Sequence, residues 1–425
     1  MSKKLLADFL VDGIGRLYTC HGPEDDKGPR RGEALKDVGL IEDAAVAAYQ
    51  GEIVAVGPSK KVRAAIQILP GAESLDAQGR AVVPGFVDAH THAVFGKARP
   101  EEFGRRLIGE SYQSIAESGG GIRASVRDFR ERQEDDLVAL TRSRLRECLH
   151  NGSTTVEVKS GYGLELESEL KALRVVRTLQ GEAGLPRLVA TCLAAHEFPD
   201  EYRERREDYL ELVCETILPE VARQELAERV DVFCEPGVYT RAQAHRVLTK
   251  GQSLGLAACI HADELEAGGG TELAVEIGAL SADHLGAISQ AGIQALAQSG
   301  TVGVLLPGTI FSLGLDEFAP AREMIDVGAA LALATDFNPG SNYCSSIPLS
   351  LTIACTRMHL HPHEGLIMAT INAAWSLGRA ASVGSLAVSK HCDLLVLAAD
   401  SLDEMVQHLG GAAVATVVLD GRIVS

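Results

Sequence analysis

The sequence lacks any surplus of basic residues. Its 425 residues include 40 Lys and Arg against 58 Asp and Glu, which gives a formal net charge of −18 at pH 7. Nucleic-acid binding depends on clustered Lys and Arg that displace counterions from phosphates, and no basic stripe occurs along this chain. The charge balance therefore argues against a nucleic acid as partner.

Long apolar runs and closely paired cysteines are also missing. No apolar run approaches the roughly 18 residues that a membrane helix needs. Asp8 and Asp12 interrupt the opening "MSKKLLADFLVDG" before the apolar region of a signal peptide can form. The nine cysteines include no C-x-x-C pair, which argues against a disulfide framework or a structural zinc knot. We therefore expect a protein of the reducing cytoplasm that does not bind a membrane.

The middle of the chain alternates eight apolar, β-branched runs with longer segments of helical character. Such alternation, in a chain of this length, predicts an α/β fold: a (β/α)8 TIM-like barrel over residues 78–384. The runs are "AVVPGFVDAH", "STTVEVKSG", "RLVATCLAAH", "RVDVFCEPG", "LAACIHADE", "LSADHLG", "TVGVLLPG" and "LALATDFNPG".

Both ends of the chain have a different character. Residues 1–77 and 385–425 contain short apolar runs separated by turn signals, as in "AAVAAYQGEIVAVGP" and "AAVATVVLDGRIV". We expect the two ends to join in one small composite β-sandwich domain beside the barrel.

Polar residues with metal-binding or catalytic chemistry stand where the apolar runs end. In the first run, Asp88, His90 and His92 occupy alternate positions, so a strand would project all three from one side. In a parallel barrel the carboxyl ends of the strands share one face, where catalytic loops gather. We therefore expect most of the run endings to form one pocket. The later endings are Lys159, His196, Glu235, His261, Glu264, His284 and Asp336.

Four of these side chains form a candidate metal site. They are His90, His92, His261 and Asp336. Zinc and iron(II) take imidazole and carboxylate ligands, and a catalytic site leaves one position for water. An isolated His-x-His pair is more often two surface or hydrogen-bonded histidines, but four such residues at strand ends favour a metal. Lys159 could be a carbamylated lysine between two metals, yet no second ligand set is evident, so we expect one ion.

Two further residues are candidates for proton transfer. Glu264 closes the segment "HADE", close enough to act as a general base on the attacking water, although a helix N-terminal carboxylate is an alternative. His284 could orient that water or polarise a carbonyl, and its alternative is a buried, hydrogen-bonded histidine. Asp336 would contribute both to the metal site and to catalysis.

Arg99 and Tyr162 are candidates for holding a substrate carboxylate. A guanidinium binds a carboxylate through two parallel hydrogen bonds, and a phenol adds a third donor. Taken singly, each residue type is more often found on the surface or in packing.

Three other patterns do not predict a site. The tract "ESGGGIRAS", residues 117–125, is interpreted as a mobile loop, and "EAGGGTEL" as a turn before a helix. The histidines of "HLHPHEGL" alternate as a metal-binding strand would require. Pro362 reads there as the first residue of a helix, which breaks the strand and removes the alignment.

The chain resembles the amidohydrolase superfamily in "PGFVDAHTH", "HADE" and "ATDFNPG". It resembles the imidazolonepropionases of histidine degradation more narrowly. That similarity rests on "GKARPEEFGRRLIGESYQSIAESGGGI", "VEVKSGYGL", "AAHEFPDEY", "HADELEAGGGTELAVEIGALSADHL" and "ATDFNPGSNYCSS", which cover the barrel almost from end to end.

The resemblance implies a metal-dependent hydrolase in a homodimer, with one Zn2+ or Fe ion per subunit. The implied reaction is hydrolysis of 4-imidazolone-5-propanoate to N-formimino-L-glutamate, with the four candidate ligands on the metal. Ser341 stands where threonine is common in the family, which keeps the hydroxyl. The implied substrate or product contacts are Arg99, Tyr162, His196, Glu264, Asn338, Gly340 and Ser341.

Other functions remain open on the sequence. Another cyclic amidase of the superfamily, or a deaminase acting on a nucleobase, would use the same ligands and the same glutamate, and the deaminase would release ammonia. A barrel that serves only as an interaction scaffold would have no need of the ligand histidines. The sequence does not distinguish zinc from iron or divide the proton transfers between Glu264 and His284.

Overall fold

The molecule contains two eight-stranded sheets, one formed by the middle of the chain and one by its two ends. The computed structural model describes residues 4–22, 27–110, 114 and 119–425. Among these residues, none of the helices combines the length and apolar character needed to span a membrane.

The sheet of the middle segment is a parallel barrel. Its strands follow one another in chain order, and every neighbouring pair is parallel. Each strand lies within one of the eight apolar runs, which confirms the predicted (β/α)8 barrel. Barrel strands 1 to 8 are Phe86–Asp88, Ser153–Lys159, Arg187–Ala195, Arg229–Cys234, Ala257–Ala262, Ser281–His284, Val302–Leu305 and Leu331–Leu333.

The barrel closes between strands 1 and 8 through the segments that follow them. The carboxylate of Asp88 accepts hydrogen bonds from the Thr335 backbone N–H, at 3.0 Å, and from the Thr335 hydroxyl, at 2.6 Å. The backbone N–H of Asp336 donates to the carbonyl oxygen of His90 at 3.0 Å. Asp88 is therefore a closure residue, and the two strand ends that carry candidate ligands are bonded to each other.

Helices cover the outside of the barrel with one apolar face each. In Leu166–Leu179, for example, Leu173, Val176 and Leu179 recur at helical spacing and are buried. The α-helices of the described residues are Ser59–Ala65, Pro100–Leu107, Ile122–Glu131, Glu134–His150, Leu166–Leu179, Arg206–Leu212, Leu218–Arg223, Arg241–Ser253, Gly270–Glu276, Gln290–Ala297, Pro307–Leu313, Ala321–Asp326, Ile347–Arg357, Pro362–Met368, Ile371–Ser376 and Leu402–Gln407.

The second sheet joins both ends of the chain, as the sequence predicts. Its central strand, Leu5–Tyr18, pairs with strands on both sides, and Ala81–Pro84 pairs in turn with Leu394–Leu397 from the other end of the chain. The remaining strands are Leu40–Tyr49, Glu52–Pro58, Ile66–Asp76, Val414–Leu419 and Arg422–Ile423.

The change from one sheet to the other occurs at Gly85. The run "AVVPGFVDAH" is split there, since Ala81–Pro84 lies in the terminal sheet and Phe86–Asp88 begins the barrel. A Cβ atom on Gly85 would lie 2.1 Å from the Thr154 hydroxyl oxygen, so no side chain fits at this crossing. The domain limits 1–77, 78–384 and 385–425 remain a prediction.

The segment "ESGGGIRAS" differs from its expectation. Glu117 and Ser118 lie outside the described residues, but Ile122 begins the helix Ile122–Glu131, so the loop prediction is wrong from that residue onward. The helix forms because Val126 and Phe129 bury one face of it.

The other two patterns behave as expected. "EAGGGTEL" turns into the helix Gly270–Glu276. Pro362 is the first residue of the helix Pro362–Met368, and the ring of His361 accepts a hydrogen bond from the His363 backbone N–H at 3.1 Å.

Candidate metal centre and active site

Three histidine side chains meet at the carboxyl end of the barrel. One ring nitrogen from each of His90, His92 and His261 lies within 4.8 Å of the others, and the Nε2 atoms of His92 and His261 are 3.4 Å apart. Asp336 Oδ1 lies 3.7 Å from His90 Nε2 and 3.5 Å from His92 Nε2. All four residues are buried. Strands 1, 5 and 8 thus bring together the four predicted ligands.

These residues have unused donor atoms that could bind a metal ion. His90 Nδ1 lies 2.7 Å from Asp283 Oδ2. His90 Nε2 is directed towards the cluster and is buried without a hydrogen-bond partner among the described residues. An unsatisfied buried polar atom is costly unless another group binds it. Burial also holds the pKa of His90 and of His92 well below the usual range, so both rings are neutral and can bind a metal.

Buried partners orient the ligands. His261 Nδ1 lies 2.9 Å from Asp231 Oδ2, and Asp336 accepts a hydrogen bond from the Thr309 hydroxyl at 2.6 Å. Carboxylates behind ligating histidines fix the ring orientation and the tautomer. A donor set of three imidazoles and one carboxylate suits a catalytic zinc or iron(II) ion.

Glu264 lies at the wall of this cluster beside His284, with 3.6 Å between Glu264 Oε1 and His284 Nδ1. Burial, with the neighbouring Asp336 carboxylate as a second cause, raises the pKa of Glu264 to about 8. The carboxylate of Glu235 accepts hydrogen bonds from the backbone N–H groups of this loop, among them Leu265 at 3.3 Å. Glu235 therefore shapes the loop that presents Glu264.

The backbone is strained around the cluster. Asp263, His284, Leu285 and Asp336 have φ values of 50°, 79°, 64° and 55°, in the left-handed region that side chains disfavour. Strain of this kind persists where the surrounding structure holds a functional geometry. These four residues follow or end barrel strands 5, 6 and 8.

Arg99 reaches the site from the segment after barrel strand 1. Its Nε lies 3.0 Å from Glu102 Oε2, and its Nη1 donates to the Ser125 hydroxyl at 2.5 Å. A Cβ atom on Gly340 would lie 1.7 Å from Arg99 Nη2, so a side chain there would displace the guanidinium from this position. Gly340 thus contributes space for Arg99.

His196 and Tyr162 form an aromatic wall next to the ligands. The His196 ring stacks on His92, with centroids 5.1 Å apart and an interplanar angle of 17°, and lies 5.5 Å from the Tyr162 ring. His196 Nδ1 is 3.0 Å from the carbonyl oxygen of Gly161 and donates to it, which leaves Nε2 for another partner. Burial lowers the pKa of His196 to about 3, so the ring is neutral.

Asn338 organises the loop after barrel strand 8. Its amide nitrogen donates to the Asp336 carbonyl and to the Ser341 hydroxyl, both at 2.8 Å. Its amide oxygen accepts the backbone N–H of Gly340 at 2.9 Å and that of Ser341 at 2.8 Å. These contacts turn the loop towards the pocket.

A cavity of about 560 Å³ opens above the histidines. Arg106, Glu197 and Phe233 also line it, and the sequence analysis assigned no role to them. His90 and Gly340 are not among the residues that line it. The sequence-predicted residues that line it are His92, Arg99, Tyr162, His196, His261, Glu264, His284, Asp336, Asn338 and Ser341.

Asp231 and Asp283, the carboxylates behind the candidate ligands His261 and His90, were not predicted from the sequence. Each lies inside an apolar strand run, in "RVDVF" and "SADHL". A charged residue in a buried strand is the signal that could have marked them, because buried carboxylates need partners. Lys159 Nζ lies 2.9 Å from Asp231 and 2.8 Å from Glu157, so the structure places it beneath the ligands.

The comparisons with known proteins agree with this geometry. The family model described as "Amidohydrolase family" matches residues 81–424. A protein of Symbiobacterium thermophilum named imidazolonepropionase is 46% identical over 418 residues, which cover 98% of this chain and 97% of the relative. The chain belongs to the imidazolonepropionases of the amidohydrolase family. The imidazolonepropionase of Chloroflexus aggregans is 44% identical over 426 residues, 98% of each chain.

Solved structures of lower sequence identity show the same fold. An adenosine deaminase from Xanthomonas campestris, described with bound zinc, superposes with a TM-score of 0.70 at 20% identity and covers 99% of this imidazolonepropionase chain and 93% of its own. Guanine deaminase of E. coli gives a TM-score of 0.68 at 17% identity, with 98% of each chain covered. Amidohydrolases are metal-dependent, and the three-histidine cluster could hold such a metal.

We predict that His92→Ala and Asp336→Ala lose the metal while the barrel stays folded, because both side chains lie on the loop face of the barrel. Elemental analysis and circular dichroism of the purified variants measure the two effects. His245→Ala, which removes an exposed histidine from a surface helix, is the control and keeps the wild-type metal content. Full metal occupancy in both ligand variants would remove these residues from the site.

Proposed function

We propose that this chain hydrolyses 4-imidazolone-5-propanoate to N-formimino-L-glutamate. The main support for the proposal is that Arg99 and two histidines of the cluster, His92 and His261, line the same cavity. The substrate has the two matching parts, a propionate and a cyclic amide. The names and near-complete coverage of the relatives support this substrate.

We propose one Zn2+ or Fe ion per subunit, held by His90, His92, His261 and Asp336. When bound, such an ion acts as a Lewis acid and lowers the pKa of water from about 15.7 to roughly 7. The neutral rings of His90 and His92 support this assignment. So does His90 Nε2, which has no hydrogen-bond partner among the described residues.

In this proposal, Glu264 moves the proton. Its carboxylate takes a proton from the water that attacks the ring carbonyl carbon, and it returns the proton to the ring nitrogen as the C–N bond breaks. A pKa raised by burial to about 8 makes Glu264 a stronger base than an exposed glutamate. His284 lies beside Glu264, and its buried Nε2 has no hydrogen-bond partner among the described residues, so it is placed to bind the ring carbonyl oxygen.

The substrate would be positioned by the opposite wall. Arg99 and Tyr162 hold the propionate, since a guanidinium and a phenol both donate to a carboxylate. His196 offers its Nε2 to the ring, because its Nδ1 is occupied by Gly161. The proposed product contacts on the loop after strand 8 are Asn338, Gly340 and Ser341.

We further propose a homodimer in the cytoplasm. The homodimer is inferred from the family resemblance. None of the nine cysteines, all of which the structure describes, forms a disulfide, and seven of them are buried, which supports a reducing compartment.

An ultraviolet assay with freshly prepared imidazolone propionate tests the proposed function. We expect the absorbance of the imidazolone ring to decay in proportion to enzyme, without ammonia, because ring opening releases none. Ammonia formed in step with substrate loss, or activity restricted to nucleobases, would contradict the proposal in favour of a deaminase.

We predict that Glu264→Gln keeps the metal and lowers kcat by a factor on the order of 10²–10⁴, because the amide cannot accept the proton. In the wild type, kcat/KM should fall at acidic pH as the base becomes protonated. This acidic limb of the pH profile should be absent from Glu264→Gln. The control is Glu266→Gln, an exposed carboxylate in the same loop. A wild-type rate with an unchanged pH profile would rule out the assigned role.

We predict that Arg99→Lys retains the metal and raises KM. Lysine keeps the positive charge, but it cannot donate the two parallel hydrogen bonds that a guanidinium gives to a carboxylate. Arg99→Met should lose more, by roughly 1.5–3 kcal/mol in kcat/KM, the contribution of a charge-assisted hydrogen bond. The control substrate is an imidazolone without the propionate, on which wild type and Arg99→Met should be nearly equal. Equal impairment on that truncated compound would show that Arg99 does not bind the carboxylate.

A further inference from the structure

A cluster of charged side chains lies inside the barrel beneath the histidines. We call these side chains the barrel-interior charges. They come from barrel strands 2, 4 and 6, and each is at most 1% exposed. None of them lines the cavity above the histidines. They are Glu157, Lys159, Arg229, Asp231 and Asp283.

Lys159 is at the centre of the barrel-interior charges. Its Nζ lies 2.8 Å from Glu157 Oε1, 2.9 Å from Asp231 Oδ2 and 3.7 Å from Asp283 Oδ2. A buried ammonium is costly unless carboxylates surround it, and here three do. Removal of the ammonium would leave buried carboxylates from strands 4 and 6 close together without their shared cation.

The carboxylate oxygens that contact Lys159 also contact the ligand histidines. Asp231 Oδ2 lies 2.9 Å from His261 Nδ1, and Asp283 Oδ2 lies 2.7 Å from His90 Nδ1. One ammonium therefore holds the two carboxylates that orient two of the three histidines.

We propose that Lys159 is a positioning residue of the metal centre, which acts through Asp231 and Asp283 and does not touch the ion or the substrate. The inference rests on the proposed metal site and adds a residue that sets its affinity. Partners behind metal ligands typically change metal affinity by about 10–100-fold when they are lost. Lys159 supports two such partners at once, so its loss should fall in that range.

The test compares the metal affinity of the wild type, Lys159→Met and Lys390→Met. Lys390 is the matched control, because it is also a buried lysine and its Nζ donates to Ala380 O and Ser385 Oγ, away from the barrel interior. Zinc dissociation constants are measured by competition with a chromogenic chelator. The visible spectrum of the Co2+-loaded protein reports the geometry of the ligands. Both readouts are independent of activity.

We expect Lys159→Met to bind zinc about 10–100-fold more weakly and to have a changed Co2+ spectrum. Lys390→Met should lose thermal stability but keep the wild-type zinc affinity and spectrum. Wild-type affinity and spectrum in Lys159→Met would overturn the inference while leaving the proposed metal site intact. A wild-type protein that binds no zinc or Co2+ would instead overturn the metal site itself.

Should Lys159→Met fail to fold, the double variant Lys159→Met/Glu157→Gln replaces it. This variant removes one carboxylate along with the ammonium, so the net buried charge is unchanged, while Asp231 and Asp283 still lose their common contact. Weaker zinc binding in the double variant supports the positioning role. Unchanged binding overturns it.

Discussion

The site depends on the closure of the barrel between its first and last strands. Asp88 accepts both the backbone N–H and the hydroxyl of Thr335, and the next backbone bond joins His90 to Asp336. Residues more than two hundred positions apart in the chain thereby become neighbours. Without the bonds between strands 1 and 8, His90 and His92 would stay together, but they would be separated from Asp336, the carboxylate of the proposed ligand set.

Closure places polar groups in an environment with little water, and the burial determines their chemistry. It keeps His90 and His92 neutral, as the proposed role of metal ligand requires, and it raises the pKa of Glu264 to about 8. The same burial makes unpaired charge costly beneath the site. The carboxylates behind the histidines therefore share an ammonium, Lys159, that comes from the strand beside the first.

The barrel, the terminal sheet and the grouping of the candidate residues could be predicted from the sequence, because all three follow from local rules. Apolar runs of strand length alternate with helices, and parallel strands bring their carboxyl ends to one face. The partners of those residues could not be predicted. The pairing of Asp231 with His261 and of Asp283 with His90 depends on which side chains meet across the barrel interior. The break at Gly85 and the helix at Ile122 likewise depend on packing against distant segments.

Anomalous diffraction from crystals of the metal-loaded protein tests the central claim most directly. We expect one peak per subunit within bonding distance, about 2.0–2.2 Å, of His90 Nε2, His92 Nε2, His261 Nε2 and one oxygen of Asp336. A peak that lacks any of these three histidines would contradict it. A second peak beside Lys159, about 3.5–4 Å from the first, would also contradict it, because the ammonium and a second metal cannot occupy the same position.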